Sequence, residues 1–380
     1  MRWRGWLVAT AAAAALAGGA RAADPSHADA FSKEGLVKAD ISDLKDTRLM
    51  PHPDAPLPAH DNVVWCGTLQ LAWNEAIRLV GEPLQFIHQP PVVDLLNRQD
   101  FTRDDLDAGS YVAIADFERN NVEDEIRAAL EKTFGGAASP ELIPAKPAHP
   151  GPYDFTAYAY LYKNLAFEQP FLDGKPLDFA GTKVKTFGFT AQGSPLRDTL
   201  AGQVSICDYR SDDDFVIKLK TQLTGDELIL AKIPPASTKA PPGPSLAVIM
   251  NEVLTRAGST HAESPGPRDT LAVPKLNFDL RGHFPELEHL VLKPGPHAKV
   301  HDLETSNVEQ LVRFQLSERG AVLKSEGTIQ MVGTALILNP PPVHRLVFDK
   351  PFLILMKRKD APRAYLALWV GNASLLEPAK

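Results

Sequence analysis

The longest strand-like stretch of the sequence lies at residues 311–338, where LVRFQL and AVLKSEGTIQMVGTALIL flank the polar sequence SERG. Two apolar runs joined by a short polar turn are typical of a β-hairpin. The second run is long, carries few charges and leads only to the proline-rich NPPPVHR. What such a strand does depends on the other elements of the chain.

Helical patterns come early in the chain and strand patterns come late. Apolar spacing predicts helices within 63–81, at 122–136, where glycines end the helix, and at 245–258. Strand patterns occupy 111–117, 153–167, 203–209, 214–222 and 227–233, and further strands close the chain. This order predicts an α+β fold with large mixed or antiparallel β-sheets.

The first 22 residues have the composition of a secretory signal peptide. Arg2 and Arg4 precede a short apolar run, and Ala20-Arg21-Ala22 forms an A-x-A cleavage site. We therefore expect a signal peptide at 1–22, cleavage after Ala22, and a secreted or periplasmic protein. The proline-rich MPHPDAPLPAH (50–60) predicts an extended lead-in at 23–60. No later run reaches the ~20 apolar residues of a membrane helix.

The net charge limits the possible partners of the protein, and the two cysteines leave open whether it contains a disulfide. Cleavage would remove three arginines and no acidic residue, so 37 basic side chains (40 minus 3) would face 47 acidic ones, a net charge of −10. An acidic surface argues against nucleic acid as a partner. Cys66 and Cys207 are far apart in sequence and leave two alternatives open, one disulfide or two buried free thiols.

Patterns that carry catalysis or metal binding are sparse. Ser42 and Lys45 match S-x-x-K, but no K-T-G or S-D-N accompanies them, so an envelope hydrolase is only a remote alternative. His297, His301 and Asp302 would share a face only if helical, and the preceding Pro-Gly-Pro favours a polar turn. The acidic run 212–214 predicts a charged hairpin turn. We expect no enzyme, no cofactor and no metal.

Four motifs resemble the serpins, the family of serine protease inhibitors. VFDKPF matches the serpin F-x-[RK]-P-F at Phe348, Lys350, Pro351 and Phe352, and LAVPKLNF (271–278) is similar to lPKFkie. YLYKNLAFEQPF resembles aiYFkgxWexPF with Lys163, Pro170 and Phe171 kept, and DNVVWCGTLQLAW resembles NvvfSPlSislaL. The resemblance is collinear and implies one serpin-like domain at 61–380. It also implies a large sheet of five or six strands, two further sheets and about eight helices.

Within this resemblance, residues 318–345 correspond to the serpin reactive-centre loop. Glu318-Arg319-Gly320 takes the place of the hinge E-x-G-T, but the small residues that follow it in inhibitors are replaced by AVLKSEG. Only one strand phase keeps Lys324 and Glu326 in water. In that phase the core-facing residues are Ala321, Leu323, Ser325 and Gly327. The family pattern puts the bond that a protease would cut near Thr334-Ala335, next to Gly333.

Two functions follow from the resemblance. The first is an inhibitor of an extracellular or periplasmic serine protease, which traps its target when the cut loop inserts into the main sheet. The second is a non-inhibitory binding or structural module whose loop already lies in the sheet as a strand. The bulky residues after the hinge favour the second slightly. For either function we expect a monomer without a membrane span.

Overall fold

The computed structural model describes residues 35–379 apart from 56, 59, 139, 144–146, 192–195, 235–243, 260, 294, 297 and 322–342. The predicted signal peptide lies outside these residues, as does most of the loop-like segment. Within them the chain forms five α-helices and twenty β-strands, so the predicted α+β class is confirmed.

The helices are α1 (Thr68–Val80), α2 (Pro91–Leu96), α3 (Val122–Phe134), α4 (Arg197–Gly202) and α5 (Leu246–Ala257). Their ends follow local chemistry. Gly81 takes a φ of 97° directly after α1, which glycine adopts without strain. Ser245 caps α5 by accepting a hydrogen bond from the N–H of Val248. The described residues contain fewer α-helices than the eight or so implied by the resemblance, and several of their connections are single 3₁₀ turns.

The strands, in chain order, are β1 (Val37–Asp40), β2 (Thr47–Leu49), β3 (Asn62–Cys66), β4 (Tyr111–Phe117), β5 (Phe155–Leu161), β6 (Leu165–Ala166), β7 (Leu172–Asp173), β8 (Leu177–Phe179), β9 (Thr182–Val184), β10 (Thr186–Phe189), β11 (Val204–Ser211), β12 (Asp214–Leu219), β13 (Asp226–Lys232), β14 (Thr270–Pro274), β15 (Leu276–His283), β16 (Glu309–Leu316), β17 (Gly320–Ala321), β18 (Arg345–Val347), β19 (Phe352–Arg358) and β20 (Ala364–Val370).

Three sheets organise the described chain. The largest has seven strands in the order β11-β12-β13-β19-β20-β3-β2, a second has the order β18-β14-β10-β7, and a third the order β1-β15-β16. Two-stranded pairs complete the set, among them β4-β5 and β17-β6. Every residue of β20 and the first six of β19 are buried. This explains why these two strands read as continuous apolar runs, since both of their faces meet the core.

Residues of the predicted lead-in take part in two of these sheets. β1 pairs in parallel with β15, and β2 pairs in parallel with β3. The lead-in is therefore partly structured, with its own strands at the margins of the sheets.

Helix α1 lies under two different sheets. It packs against β4 and β5 and also against β16. In the described sheets, β5 is the last strand of one and β16 is the last strand of the other. The buried face of α1 explains this position, since Leu71 belongs to the main core while Trp73, Ile77 and Val80 belong to a second apolar cluster.

Most predicted elements are found with similar bounds. β4 and α3 match the predicted 111–117 strand and 122–136 helix, and β11, β12 and β13 match the three strands predicted in series. The long strand predicted at 153–167 was wrong in its length. β5 ends at Leu161, and after a short break the chain forms the separate two-residue strand β6.

Candidate functional site: the two ends of segment 322–342

Some of the predicted site residues are described by the structure and others are not. Glu318, Gly320 and Ala321 are described. Outside the described residues lie Leu323, Ser325, Gly327, Gly333, Thr334 and Ala335. The candidate site is therefore built from the contacts that hold segment 322–342 at its two ends.

The SERG sequence forms a tight turn. The backbones of Ser317 and Gly320 exchange two hydrogen bonds of 3.2 Å, which leaves Glu318 and Arg319 at the tip. Immediately after the turn, Gly320 and Ala321 pair antiparallel with β6. The partner of the described part of this strand is thus β6, which the sequence did not indicate.

Gly320 is needed at its position for two reasons. Its φ is +123°, a conformation that other residues adopt only with strain. A Cβ atom here would lie 2.5 Å from the carbonyl oxygen of Leu165 and 2.7 Å from Cα of Ala166. Both neighbouring atoms belong to the backbone, so they cannot move aside easily. The glycine lets the turn approach β6 closely.

The turn is also fixed by the chain that follows β6. The N–H of Phe167 donates to the carbonyl of Arg319 at 3.0 Å, and the N–H of Phe171 donates to the carbonyl of Glu318 at 2.7 Å. The rings of Phe167 and Phe171 are buried and meet edge to face, with centroids 4.9 Å apart. The motif YLYKNLAFEQPF therefore supplies a rigid apolar base under the turn.

An ion pair closes this first end. The ammonium of Lys275 lies 2.6 Å from Oε2 of Glu318 and 2.5 Å from Oδ1 of Asp173. Burial opposes the charge of Lys275, but the hydrogen bonds with Asp173 and then Glu318 outweigh it, so the pKa of Lys275 is raised. The lysine of the PKL motif thus connects the tip of the turn to β7.

The second end enters the four-stranded sheet. β18 pairs in parallel with β14, with Arg345, Leu346 and Val347 opposite Thr270, Leu271 and Ala272. Leu346 and Phe348 are fully buried. This end is therefore built into the core within a few residues of segment 322–342.

Lys232 also fixes the second end of segment 322–342, through a hydrogen bond and two ion pairs. Its side chain is 3% exposed, and its ammonium lies 2.9 Å from the carbonyl oxygen of Val347, 2.5 Å from Oδ1 of Asp349 and 2.8 Å from Oδ1 of Asp213. The hydrogen bonds from Lys232 and then from Lys350 lower the pKa of Asp213 to about 2. A buried lysine with several acceptors joins β13, the 212–213 turn and the end of β18.

One short stretch holds both ends. Thr270–Ala272 pairs with β18, and Lys275, directly after β14, binds Glu318. Five residues of extended chain span roughly 17 Å. The two anchors that flank segment 322–342 are therefore close together along one strand and its continuation.

A further contact ties β16, the strand before the turn, to α1. Gln310 is 3% exposed, and its side-chain N–H groups donate to the carbonyl of Cys66 at 2.9 Å and to Oγ1 of Thr68 at 2.7 Å. Burial raises the pKa of the Cys66 thiol. Cys66 stands where the serpin motif has serine, and here it is a half-buried neutral thiol.

The other candidates of the sequence have ordinary contacts. The hydroxyl of Ser42 donates to Asp40 at 2.7 Å, and this hydrogen bond lowers the pKa of Asp40. The S-x-x-K serine is thus bound to a carboxylate on a short 3₁₀ turn. His301 packs on the ring of Tyr153 with centroids 4.4 Å apart, and His297 lies outside the described residues. In the part of the chain that is described, no group of three His, Cys, Asp or Glu side chains is placed to bind a metal.

The acidic run and the cysteines have structural roles. Asp212 and Asp213 form the turn between β11 and β12, as predicted, and Asp214 begins β12. Cys66 and Cys207 are both free thiols, which decides between the two alternatives left open by the sequence.

Sequence reasoning missed several residues of this site. Lys275 was noted only as part of a strand motif, and Asp173 and Lys232 were not singled out. A charged residue inside an apolar strand, such as Lys232 in ELILAKIP, is the signal that a buried ion pair leaves in a sequence.

Comparisons with known proteins find similarity at the level of structure. No protein-family model matches the chain, and no curated protein matches it. It is similar to native protease nexin-1 in a complex with heparin, with 11% identity and a TM-score of 0.48 over 82% of this chain and 93% of that one. It is also similar to uncleaved ovalbumin, with 11% identity and a TM-score of 0.46 over 83% and 94% of the two chains.

Human thyroxine-binding globulin, in a complex with thyroxine, is a further match, with 12% identity and a TM-score of 0.41 over 67% of this chain. The chain spans 64% of the length of that protein. All these proteins are serpins, the family that the sequence motifs resemble. At such identities the likeness concerns the fold alone.

Among the described residues, no helix is both long enough and apolar enough to cross a membrane.

Proposed function

We propose that the chain is an exported serpin-fold protein that offers segment 322–342 to a serine protease outside the cytoplasm. The amino-terminal sequence, with its short apolar run and A-x-A site, supports export. Val332, Gly333, Thr334 and Ala335 are small, which suits an elastase-like protease with the cut at Thr334-Ala335.

The observation that carries this proposal is the pair of anchors on one stretch of chain. Lys275 holds Glu318 at the first end, and β14 holds β18 at the second. A segment whose two ends are fixed close together can enter the cleft of a protease, which binds its substrate as an extended chain.

Inhibition by a conformational trap requires a place for the cut strand. β5 and β16 are the last strands of their described sheets and both lie on α1. A strand entering between them would join the two sheets and bury apolar side chains over α1. Ala321, the first residue of such a strand, is 4% exposed. If the inserted strand keeps Ala321 facing the core, Lys324 and Glu326 face water.

The non-inhibitory module remains the second candidate, and a specific observation favours it. Val322, Leu323, Lys324 and Glu326 occupy the positions where inhibitors carry small residues. The length of the chain limits how many residues of the loop can lie in the sheet of such a module. A strand of residues 321–332 is about 40 Å long, and residues 333–344 reach about 40 Å only when fully extended. Partial insertion fits the anchors without stretching the chain.

The test is incubation of the purified protein with elastase-like and subtilisin-like proteases. A protease complex that survives SDS supports the inhibitor, and clean cleavage at Thr334-Ala335 without a complex supports the module. The matched variants are Ala335→Pro, which should block cleavage at that bond, and Ala335→Ser, which should not. Full resistance of 322–342 to both proteases would contradict the presentation of this segment to a protease and would favour the module whose loop already lies in the sheet.

Thermal melting before and after cleavage separates the two candidates further. An inhibitor should gain stability when its loop is cut, because insertion adds a strand to the sheet. A module whose loop is already inserted should melt at the same temperature before and after cutting.

A further inference from the structure

A cavity of about 340 Å³ lies at the end of the hairpin that joins β12 and β13 in the seven-stranded sheet. This volume falls within the range of small-ligand sites, about 300–1,000 Å³. Three lysines and three acidic residues line the cavity, together with leucines and with hydroxyl-bearing side chains. The ion pairs among these groups show which charges the protein already neutralises and which it leaves for a ligand.

Glu227 of β13 is bound by two lysines. Lys218 is paired with Ile229, two residues from Glu227, and Glu227 is paired with Lys357 of β19, so that all these side chains share one face of the sheet. The ammonium of Lys218 lies 2.6 Å from Oε1 of Glu227, and that of Lys357 lies 3.4 Å from Oε2. Both oxygens of this carboxylate are therefore occupied by protein cations.

Asp226 is bound by a different lysine. Its side chain is 3% exposed, and Oδ2 accepts a hydrogen bond from the ammonium of Lys163 at 2.8 Å. Lys163 also binds Asp107 on its exposed side, and its ammonium lies over the ring of Tyr365. The two less exposed carboxylates of the lining, Asp226 and Glu227, are thus engaged by the protein itself.

The other two lysines of the lining are engaged only by backbone atoms. The ammonium of Lys220 donates to the carbonyl of Gly202 at 2.7 Å. Lys359 is held through its backbone N–H, which donates to the carbonyl of Gly225 at 2.8 Å. Within the part of the chain that the structure describes, neither ammonium forms an ion pair with a carboxylate. Two exposed positive charges therefore face the cavity, against one further exposed acidic residue, Glu168.

Leucines supply an apolar wall beside these charges. Leu219 and Leu228 are buried beneath the cavity, whereas Leu223, in the turn between β12 and β13, is 48% exposed. An apolar group placed in the cavity would cover Leu223 and remove its surface from water. The cavity thus combines two cationic groups with one apolar surface.

We propose that this cavity binds the phosphate group of a monoester that has a small apolar body, with Lys220 and Lys359 on the phosphate and Leu223 on the body. A phosphate monoester carries a charge of about −1.5 to −2 at pH 7, which matches two ammonium groups, whereas a carboxylate carries one charge. The proposal does not rest on the proposed function, because the cavity uses none of the side chains that anchor segment 322–342.

Titration calorimetry of the full chain with phenyl phosphate, in a buffer free of phosphate and sulfate, tests the site. We expect saturable binding that weakens about threefold in Lys220→Met and in Lys359→Met, and about tenfold in the double variant. Glu168→Gln should bind about twofold more tightly, because it removes a repelling carboxylate. The matched control is Lys175→Met, which removes one charge from an exposed lysine between β7 and β8 and should leave the affinity unchanged.

Inorganic phosphate is the second probe and isolates the apolar contact. Leu223→Ala should weaken the binding of phenyl phosphate about twofold and leave that of inorganic phosphate unchanged. Absence of saturable binding by the wild type, or an equal loss in Lys175→Met, would overturn the proposal. Co-sedimentation with vesicles of phosphatidylcholine and phosphatidic acid that the double variant loses would assign the phosphate to a lipid. Binding of phenyl phosphate without such co-sedimentation would assign it to a free ligand.

Discussion

Removing the ammonium of Lys275 should loosen the first anchor of segment 322–342. Lys275→Met keeps the length of the side chain and deletes the charge that lies 2.6 Å from Glu318 and 2.5 Å from Asp173. Hydrogen bonds to charged groups contribute about 1.5–3 kcal/mol when their surroundings are largely buried. The side chains of Lys275 and Glu318 are only 11% and 23% exposed, whereas Asp173 is 79% exposed. Most of the effect should therefore come from Glu318.

We expect Lys275→Met to lower the free energy of unfolding by about 2–3 kcal/mol at pH 7. Glu318→Gln should cost about 1–2 kcal/mol, since the amide keeps one acceptor. Asp173→Asn should cost less than about 1 kcal/mol because water screens the exposed carboxylate. The measurement is urea unfolding of the three single variants and of the double variant of Lys275 and Glu318.

A double-mutant cycle on Lys275 and Glu318 should give a coupling energy of about 1–2 kcal/mol. Because the pKa of Lys275 is raised in the folded protein, its contribution is complete below the unfolded value of about 10.4. It is lost as the pH rises through the folded pKa. A loss for Lys275→Met no larger than that for Asp173→Asn, with no coupling, would refute this account of the anchor.

Three further predictions concern the described core. Gly320→Ala should destabilise the protein by about 1–3 kcal/mol, because it combines an unfavourable φ with a clash against β6. Gly225→Ala, where a Cβ would meet no atom within 4 Å, is the matched control, and equal unfolding midpoints would contradict the strain. Burial lowers the pKa of His52, so stability should fall as the pH drops below about 6.5, and His52→Gln should flatten that profile in thermal melts. Burial raises the pKa of both Cys66 and Cys207, so a thiol reagent should modify them at least about tenfold faster in urea than in the native protein, and equal rates would exclude their burial.

Local patterns predicted the local structure well. The alternation of YVAIADF and the glycines after VEDEIRAALEKTF gave β4 and α3 nearly to the residue, because both signals act within a few residues. The SERG turn followed from the same kind of local chemistry. The order of helical and strand patterns along the chain extended this to the α+β class of fold.

Contacts between distant residues could not be predicted in this way. Two residues after β5 ends, Lys163 turns inward to Asp226, 2.8 Å away on β13, and no pattern in YDFTAYAYLYKNLAF shows this partner. The pairing of Gly320 with β6 and the contact of His344 with Asp269 likewise join residues that are far apart in sequence. The roles of Leu323, Ser325, Gly327 and the Thr334-Ala335 bond stay predictions, because they lie outside the described residues.

The position of Lys232 determines which sheet resists a force applied to the carboxyl-terminal end of segment 322–342. Its ammonium holds the carbonyl of Val347 while its backbone belongs to β13, in the middle of the seven-stranded sheet. Tension applied to the chain just before β18 is therefore transmitted into the largest sheet and does not simply peel one short strand from a small one. A pull on this end is resisted by the seven-stranded sheet, whereas the opposite end is held by the two-residue strand β17, the backbone hydrogen bonds of Phe167 and Phe171, and the ion pair of Lys275.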